Sequence, residues 1–224
     1  MKRIFSAKTS IKPVSEQTRF QHGFTLVELM IATTVFSVFL LIVTTLVLQV
    51  TRTYTKGIVV SKTQETARVI SNELSRAVQF GGSNMFFPAS TPAPGTTGYM
   101  CIGSQRYTFV LGKQLKSTIT NPPDQTSHVL VADSVSTCPS GAGSMTITDT
   151  KAQRELIGEN MRLANLSIEQ IGSSNLYTIK VRVAYGDADL LNTPTSQNVL
   201  CRGQAGSSQF CAVSELVTTV EKRL

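Results

Sequence analysis

Between Phe24 and Val50 the only ionisable side chain is Glu28. As a helix, this stretch would be about 40 Å long at ~1.5 Å per residue, longer than the ~30 Å hydrocarbon core of a bilayer. Its many Val, Ile, Phe and Thr residues would favour strand in water. In lipid each backbone polar group must be paired within its own segment, so helix is expected.

The residues ahead of this stretch are polar and basic. Lys2, Arg3, Lys8, Lys12 and Arg19 stand against Glu16, a net of +4, and the leader closes on Gly23. An ordinary secretory signal carries its apolar core before the cleavage site. Here the apolar core follows Gly23. That order predicts cleavage before the helix, so the helix stays in the mature chain. The basic leader should remain cytoplasmic under the positive-inside rule. Arg52, Lys56 and Lys62 at the other end weaken this contrast without removing it. The expected topology is N-terminus in and C-terminal domain out.

Charge follows the same division. The whole chain has a formal net charge of +7 and a pI near 9.4, values that can signal nucleic-acid binding. Residues 24–80 hold five basic and three acidic side chains, and residues 81–224 hold eleven and ten. The C-terminal part is thus nearly neutral, and more than half of the net charge sits in the leader.

Glu28 needs a partner. A carboxylate in a spanning helix costs roughly 2.5–3.5 kcal/mol on insertion scales, so it should pair or protonate. Cleavage after Gly23 would create a new α-amino group on Phe24. The partner would be that amine, of the same chain or of a neighbouring subunit. The alternative is a shallow interfacial Glu that pairs with nothing.

The run Gly23-Phe24-Thr25-Leu26-Val27-Glu28-Leu29-Met30 resembles the class III signal of type IV pilins and type II secretion pseudopilins. Several things follow from the resemblance. A membrane prepilin peptidase would cut after Gly23 and N-methylate Phe24, giving N-methylphenylalanine. Glu28 would neutralise a neighbour's N-terminus during filament assembly. Partners would be the prepilin peptidase, other pilins or pseudopilins through the N-terminal helix, the membrane and an assembly platform. The chain would sit in the cytoplasmic membrane as a single-pass protein with its head outside, then in a pilus or pseudopilus at the cell surface. The motif spans about the first 30 mature residues and says little about the head.

After Val50 the pattern turns amphipathic. Val60, Ala67, Ile70, Leu74, Ala77 and Val78 recur near helical spacing, with Lys62, Glu65, Arg68, Glu73 and Arg76 between them. No Pro occurs between Pro13 and Pro88. One helix from about residue 25 to 79 is expected, with Gly57 as a candidate bend and Gly81-Gly82 as its stop. The apolar stripe should pack on a sheet; it is too short for a sustained coiled coil. Residues 81–98 read as a long connection.

Strand signals follow. Tyr107, Phe109 and Leu111 alternate with Thr108 and Val110, and Gly112-Lys113 would turn the chain back into 114–119. Val129–Asp133 and Ser144–Thr148 are short candidates. Tyr177, Ile179, Val181, Val183 and Tyr185 alternate with Thr178, Lys180, Arg182 and Ala184, and Ala212–Val220 should close the sheet. The expected fold class is α+β, with one long helix packed on an antiparallel β-sheet head. The expected organisation is a leader at 1–23, a transmembrane helix at 24–50, its amphipathic continuation at 51–80, and a β-rich head at 81–224. Residues 186–210 read as an irregular insertion. The stretch from Thr66 to Phe80 is similar to the post-membrane helix of J-type minor pilins, and the order of helix, Gly-containing loop and large head fits that type.

Cys101, Cys138, Cys201 and Cys211 all lie beyond the hydrophobic segment. An even count outside a membrane reads as disulfides. Three connectivities are open. The sequence-local one, Cys101–Cys138 with Cys201–Cys211, is favoured; free buried thiols are the alternative. Zinc is disfavoured because no CxxC spacing or flanking His supports it.

Residues for catalysis are not evident. His22 lies in the leader, and His128 has no nucleophile motif beside it. No phosphate or dinucleotide fingerprint occurs. Asp187, Asp189 and Asn192 fail the calcium-loop pattern. Asn165-Leu-Ser167 matches a glycosylation acceptor, a pattern common by chance. The chain is thus expected to be a non-enzyme with no cofactor and no metal. The leading expectation is a filament subunit near a tip. The alternative is a membrane-anchored or filament-borne binding protein for DNA, a surface or a secreted substrate. Nucleic acid is disfavoured by the neutral head, with Lys113 and Lys116, or Lys180 and Arg182, as the remaining local patches.

Overall fold

The computed structural model describes residues 23–88, 92–136, 138, 153–203 and 208–223. The leader before Gly23, including His22, and the strand expected at Ser144–Thr148 lie outside the described residues. The chain divides into two compact units, Met1–Val47 and Leu48–Leu224.

Helix α1 runs without a break from Leu26 to Phe80, through Gly57. The described part of the first unit is its N-terminal portion. Every residue from Gly23 to Tyr54 is exposed, and α1 is long and apolar enough to cross a membrane. Its hydroxyls bring their own acceptors. Thr33, Thr34, Ser37, Thr44 and Thr45 each donate to a carbonyl three or four residues back, at 2.7–3.0 Å. That arrangement satisfies the hydroxyls within the segment that carries them, as a helix in lipid would require.

In the second unit the helix buries Val59, Thr63, Ala67, Ile70, Ser71, Leu74 and Val78. The i, i+3, i+4 spacing is the stripe the sequence predicts, with one change at its start. Val59 and Thr63 face inward and Val60 is only half-buried. Thr63 can be buried because its hydroxyl donates to the Val59 carbonyl at 2.7 Å. The helix stops where Gly82 takes φ +65°. A Cβ at Gly81 would lie 2.6 Å from Ile102 and 2.7 Å from the Ala77 carbonyl. The two glycines thus end the helix for different reasons.

Two five-stranded sheets share the core with α1. The first contains β1 (Met85–Phe86), β2 (Thr97–Ile102), β3 (Gln105–Val110), β6 (Leu130–Ser134) and β7 (Arg154–Glu155), in the order β1-β2-β3-β6-β7. The second contains β4 (Gln114–Leu115), β5 (Gln125–Thr126), β8 (Met161–Gln170), β9 (Leu176–Tyr185) and β12 (Ala212–Glu221), in the order β12-β9-β8-β4-β5. A small ladder joins β10 (Leu191–Asn192) to β11 (Leu200–Cys201). The architecture is α+β, as expected. It is mixed rather than purely antiparallel, because β4 and β5 pair in parallel. One core cluster unites Ala67, Ile70, Leu74 and Val78 of α1 with Tyr107 and Phe109 of β3, and with Val181 and Val183 of β9. At the sheet margins, Glu73 pairs with Arg154 of β7, and Ser71 bonds Thr218 of β12 at 3.2 Å.

Three expectations are corrected. First, Gly112-Lys113 does not form a hairpin. Gly112 adopts φ +78° and donates its N–H to the Leu163 carbonyl at 2.8 Å. The chain thereby leaves the first sheet, and Gln114 pairs with Arg162 of β8 in the second. Second, the connection expected at 81–98 holds the short strand β1, and it leads into β2, a strand with no signal of its own in the sequence, which pairs with β3 over six residues. Third, residues 186–210 are more than an exposed insertion. Leu191 and Val199 are fully buried, and with Cys211 they pack on Ala164 and Ala184. They form a small second core on the outer face of the second sheet.

The structure joins Cys101 to Cys138 and Cys201 to Cys211. The first bridge closes 37 residues of sequence and the second 10. Loop-closure entropy assigns them about 4 and about 3 kcal/mol. Replacing both Cys of a pair with Ser is therefore expected to lower thermal stability more for Cys101/Cys138, read by melting of the detergent-solubilised chain. The opposite order would show that packing of Cys211 outweighs loop closure.

Candidate processing and assembly site

The start of α1 is a capping box, built from Thr25-x-x-Glu28. Thr25 precedes the first helical residue and Glu28 is the third. The Glu28 N–H donates to Thr25 Oγ1 at 3.2 Å, and the Thr25 N–H donates to Glu28 Oε2 at 2.9 Å. The Thr25 hydroxyl itself donates to the same carboxylate oxygen at 3.0 Å. Two of the orphan N–H groups at the helix start are satisfied reciprocally. The positive end of the helix dipole also favours a carboxylate here.

Gly23 and Phe24 lead into this box and are exposed, Phe24 at 86%. A Cβ at Gly23 would meet nothing within 4 Å. Gly23 and Phe24 are thus exposed, while the residues just after them are held in helix. In this chain the Phe24 nitrogen is a peptide nitrogen, and the Glu28 carboxylate is occupied by Thr25, a partner that the Thr-x-x-Glu spacing reveals.

A second polar centre lies in the head, at Arg162. This side chain is fully buried. Its guanidinium donates to both Asp124 oxygens, at 3.0 and 3.2 Å, and to the carbonyls of Gly112 and Gly186 at 3.0 and 3.4 Å. Buried Gln114 donates to the Gly186 carbonyl and to Asp187 Oδ1, at 3.1 and 3.0 Å. Together they tie β4, β8 and the two glycine turns at Gly112 and Gly186. The tie is architectural; no periodicity argument points to it.

The other sequence candidates have local roles. Asp187 faces Lys116 at 3.4 Å as well as Gln114. Asn192 Oδ1 accepts the Leu200 N–H at 2.6 Å. Arg182 donates to Gln197 O and Asn198 Oδ1, both at 3.1 Å, and lies 3.4 Å from Glu215. Asn165 lies within β8. His128 precedes β6 and sits 3.4 Å from Glu155. Burial pushes the Glu155 carboxyl up, opposed by hydrogen bonds from the Leu130 and Val129 N–H groups. Burial also pushes the Tyr107 hydroxyl up, to about 12, with the nearby Glu73 carboxylate adding to the shift. Among the described residues no group of three or more His, Cys, Asp or Glu side chains is placed to hold a metal.

Residues 18–44 match the family described as the prokaryotic N-terminal methylation motif. No curated protein and no solved structure matches the chain. The matched residues contain the Gly23–Phe24 junction, the capping box and much of the apolar stretch. The motif supports a pilin or pseudopilin that a prepilin peptidase processes and that assembles with other pilins. The apolar helix fits a membrane-anchored subunit that later joins a filament.

Proposed function

We propose that this chain is a minor pilin or pseudopilin, most like the J type, and not an enzyme. One observation carries the reading: an accessible Gly23–Phe24 junction stands immediately before a capped helix whose apolar stretch, up to Val50, holds one carboxylate, Glu28. The peptidase removes residues 1–23 and methylates Phe24. The mature helix waits in the cytoplasmic membrane, with the head outside. Assembly exchanges lipid contacts of the apolar stretch for contacts with other such helices. The Phe24 amine then competes with Thr25 for the Glu28 carboxylate, so charge pairing between subunits sets axial register. A head with two sheets and a separately packed C-terminal segment suits a tip position, where its surface need not repeat along a shaft. The engagement of Lys116 and Arg182 by acidic or carbonyl groups weighs against the alternative of a DNA-binding head.

Filaments sheared from cells should contain the processed chain at low stoichiometry, detected by mass spectrometry. A fully processed chain that never leaves the membrane fraction, in cells making both pili and pseudopili, would contradict the proposal.

A further inference from the structure

Ser208 and Cys211, at the end of the stapled segment, meet α1 just beyond the end of the apolar stretch. Lys56 Nζ donates to the Ser208 carbonyl at 2.8 Å and to the Cys211 carbonyl at 2.7 Å. Lys56 is six residues beyond Val50 in the same helix. At ~1.5 Å per residue its Cα lies about 9 Å past Val50. Helical side chains lean toward the helix N-terminus, so the ammonium and the carbonyls it holds reach back toward Val50. With Glu28 at one boundary, Leu29–Val50 covers about 33 Å, one hydrocarbon thickness. Val50 then marks the other boundary, and Lys56 holds the stapled segment at headgroup depth.

The side chains beside the bridge that Lys56 holds suit that depth. Leu200 is 52% exposed and Phe210 46%, each one residue before a half of the Cys201–Cys211 bridge. Tyr54 is 70% exposed on α1, and Arg52 and Arg202 are exposed beside these groups in sequence. No acidic residue occurs from Leu190 to Val213. Exposed apolar and aromatic side chains beside arginines that make no ion pair among the described residues have the composition of a membrane-interface contact. Buried packing does not need them, since Leu191, Val199 and Cys211 already fill the small core.

We propose that Leu200, Phe210 and Arg202, with Tyr54 and Arg52 of α1, form a second membrane contact. It rests the head on the outer headgroup layer before the subunit enters a filament. The occupant is the bilayer interface, with anionic lipid favoured by the two arginines. Lys56 is the positioning residue that sets the depth. The inference rests on the membrane-inserted reading above.

The chain contains no Trp, so a single introduced Trp reports its own depth. The full chain is reconstituted into vesicles of phosphatidylethanolamine and phosphatidylglycerol, with and without acyl-brominated lipid. Three variants are compared: Phe210→Trp, Phe36→Trp in the apolar stretch, and Phe80→Trp at the end of α1. Leu200→Trp stands in if Phe210→Trp misfolds. The expected result is strong quenching at 36 and several-fold more quenching at 210 than at 80. Adding Arg202→Glu should reduce quenching at 210 and leave it unchanged at 36. Quenching at 36 with none at 210 would overturn this inference and leave membrane insertion standing. A blue-shifted but unquenched Trp at 210 would overturn it in favour of a cover supplied by a second copy. Absence of quenching at 36 would remove the membrane reading and this inference with it.

Discussion

Asp124→Ala is expected to destabilise the second unit by about 3–5 kcal/mol, the usual cost of removing one partner from a buried ion pair. Arg162 has no exposure, and Asp124 accepts both of its forked hydrogen bonds. Truncating the acid leaves a guanidinium that water cannot reach, held only by the Gly112 and Gly186 carbonyls. The remedy follows from the same physics. Adding Arg162→Met to Asp124→Ala should recover much of the loss, because an apolar side chain of similar length replaces an orphaned charge. Denaturant unfolding of the detergent-solubilised chain checks both. A loss below about 1 kcal/mol for Asp124→Ala would class the pair with exposed salt bridges and refute its role in joining the two glycine turns.

Glu28→Val is expected to leave membrane insertion intact and lower incorporation into filaments at least tenfold. The substitution removes the only ionisable group of the apolar stretch, so insertion becomes easier. It also deletes the acceptor proposed above for the Phe24 amine, and half of the capping box. A tenfold loss corresponds to about 1.4 kcal/mol, within reach of either effect, so a second variant separates them. Glu28→Gln retains an oxygen for the Thr25 N–H and loses the charge. Incorporation should stay low in Glu28→Gln, measured as the fraction of processed chain in sheared filaments. Wild-type incorporation of Glu28→Gln would assign the effect to the helix cap and remove the charge-pairing role.

Much of the architecture is legible in the residues because burial imposes a period. The stripe of Ala67, Ile70, Leu74 and Val78 follows the helix, and the alternation across 177–185 marks β9. Strand β8 hides from the same test. A bulge between Leu163 and Asn165 shifts its register. Met161 and Leu163 face the core before it, and Leu166 and Ile168 after it. The inward positions change from odd to even numbers, so no single alternation spans the strand. Arg162, fully buried in that strand, disguises it further. The hairpin expected at Gly112-Lys113 fails for a related reason. A glycine with positive φ suits a tight turn, but here the turn passes the chain between sheets, and only tertiary pairing with Leu163 decides that. Around the candidate junction, residue type and order single out Gly23, Phe24 and Glu28, and the matched methylation motif contains all three. The Thr25 partner is legible in the Thr-x-x-Glu spacing of a capping box.

The central claim is that this chain is cut between Gly23 and Phe24, so that a capped apolar helix opens the mature protein. Intact mass of the chain extracted from membranes of cells with active prepilin peptidase tests it most directly. The account predicts a mass that starts at Phe24 and carries one added methyl group on its nitrogen. A chain that retains residues 1–23 in those cells would contradict it.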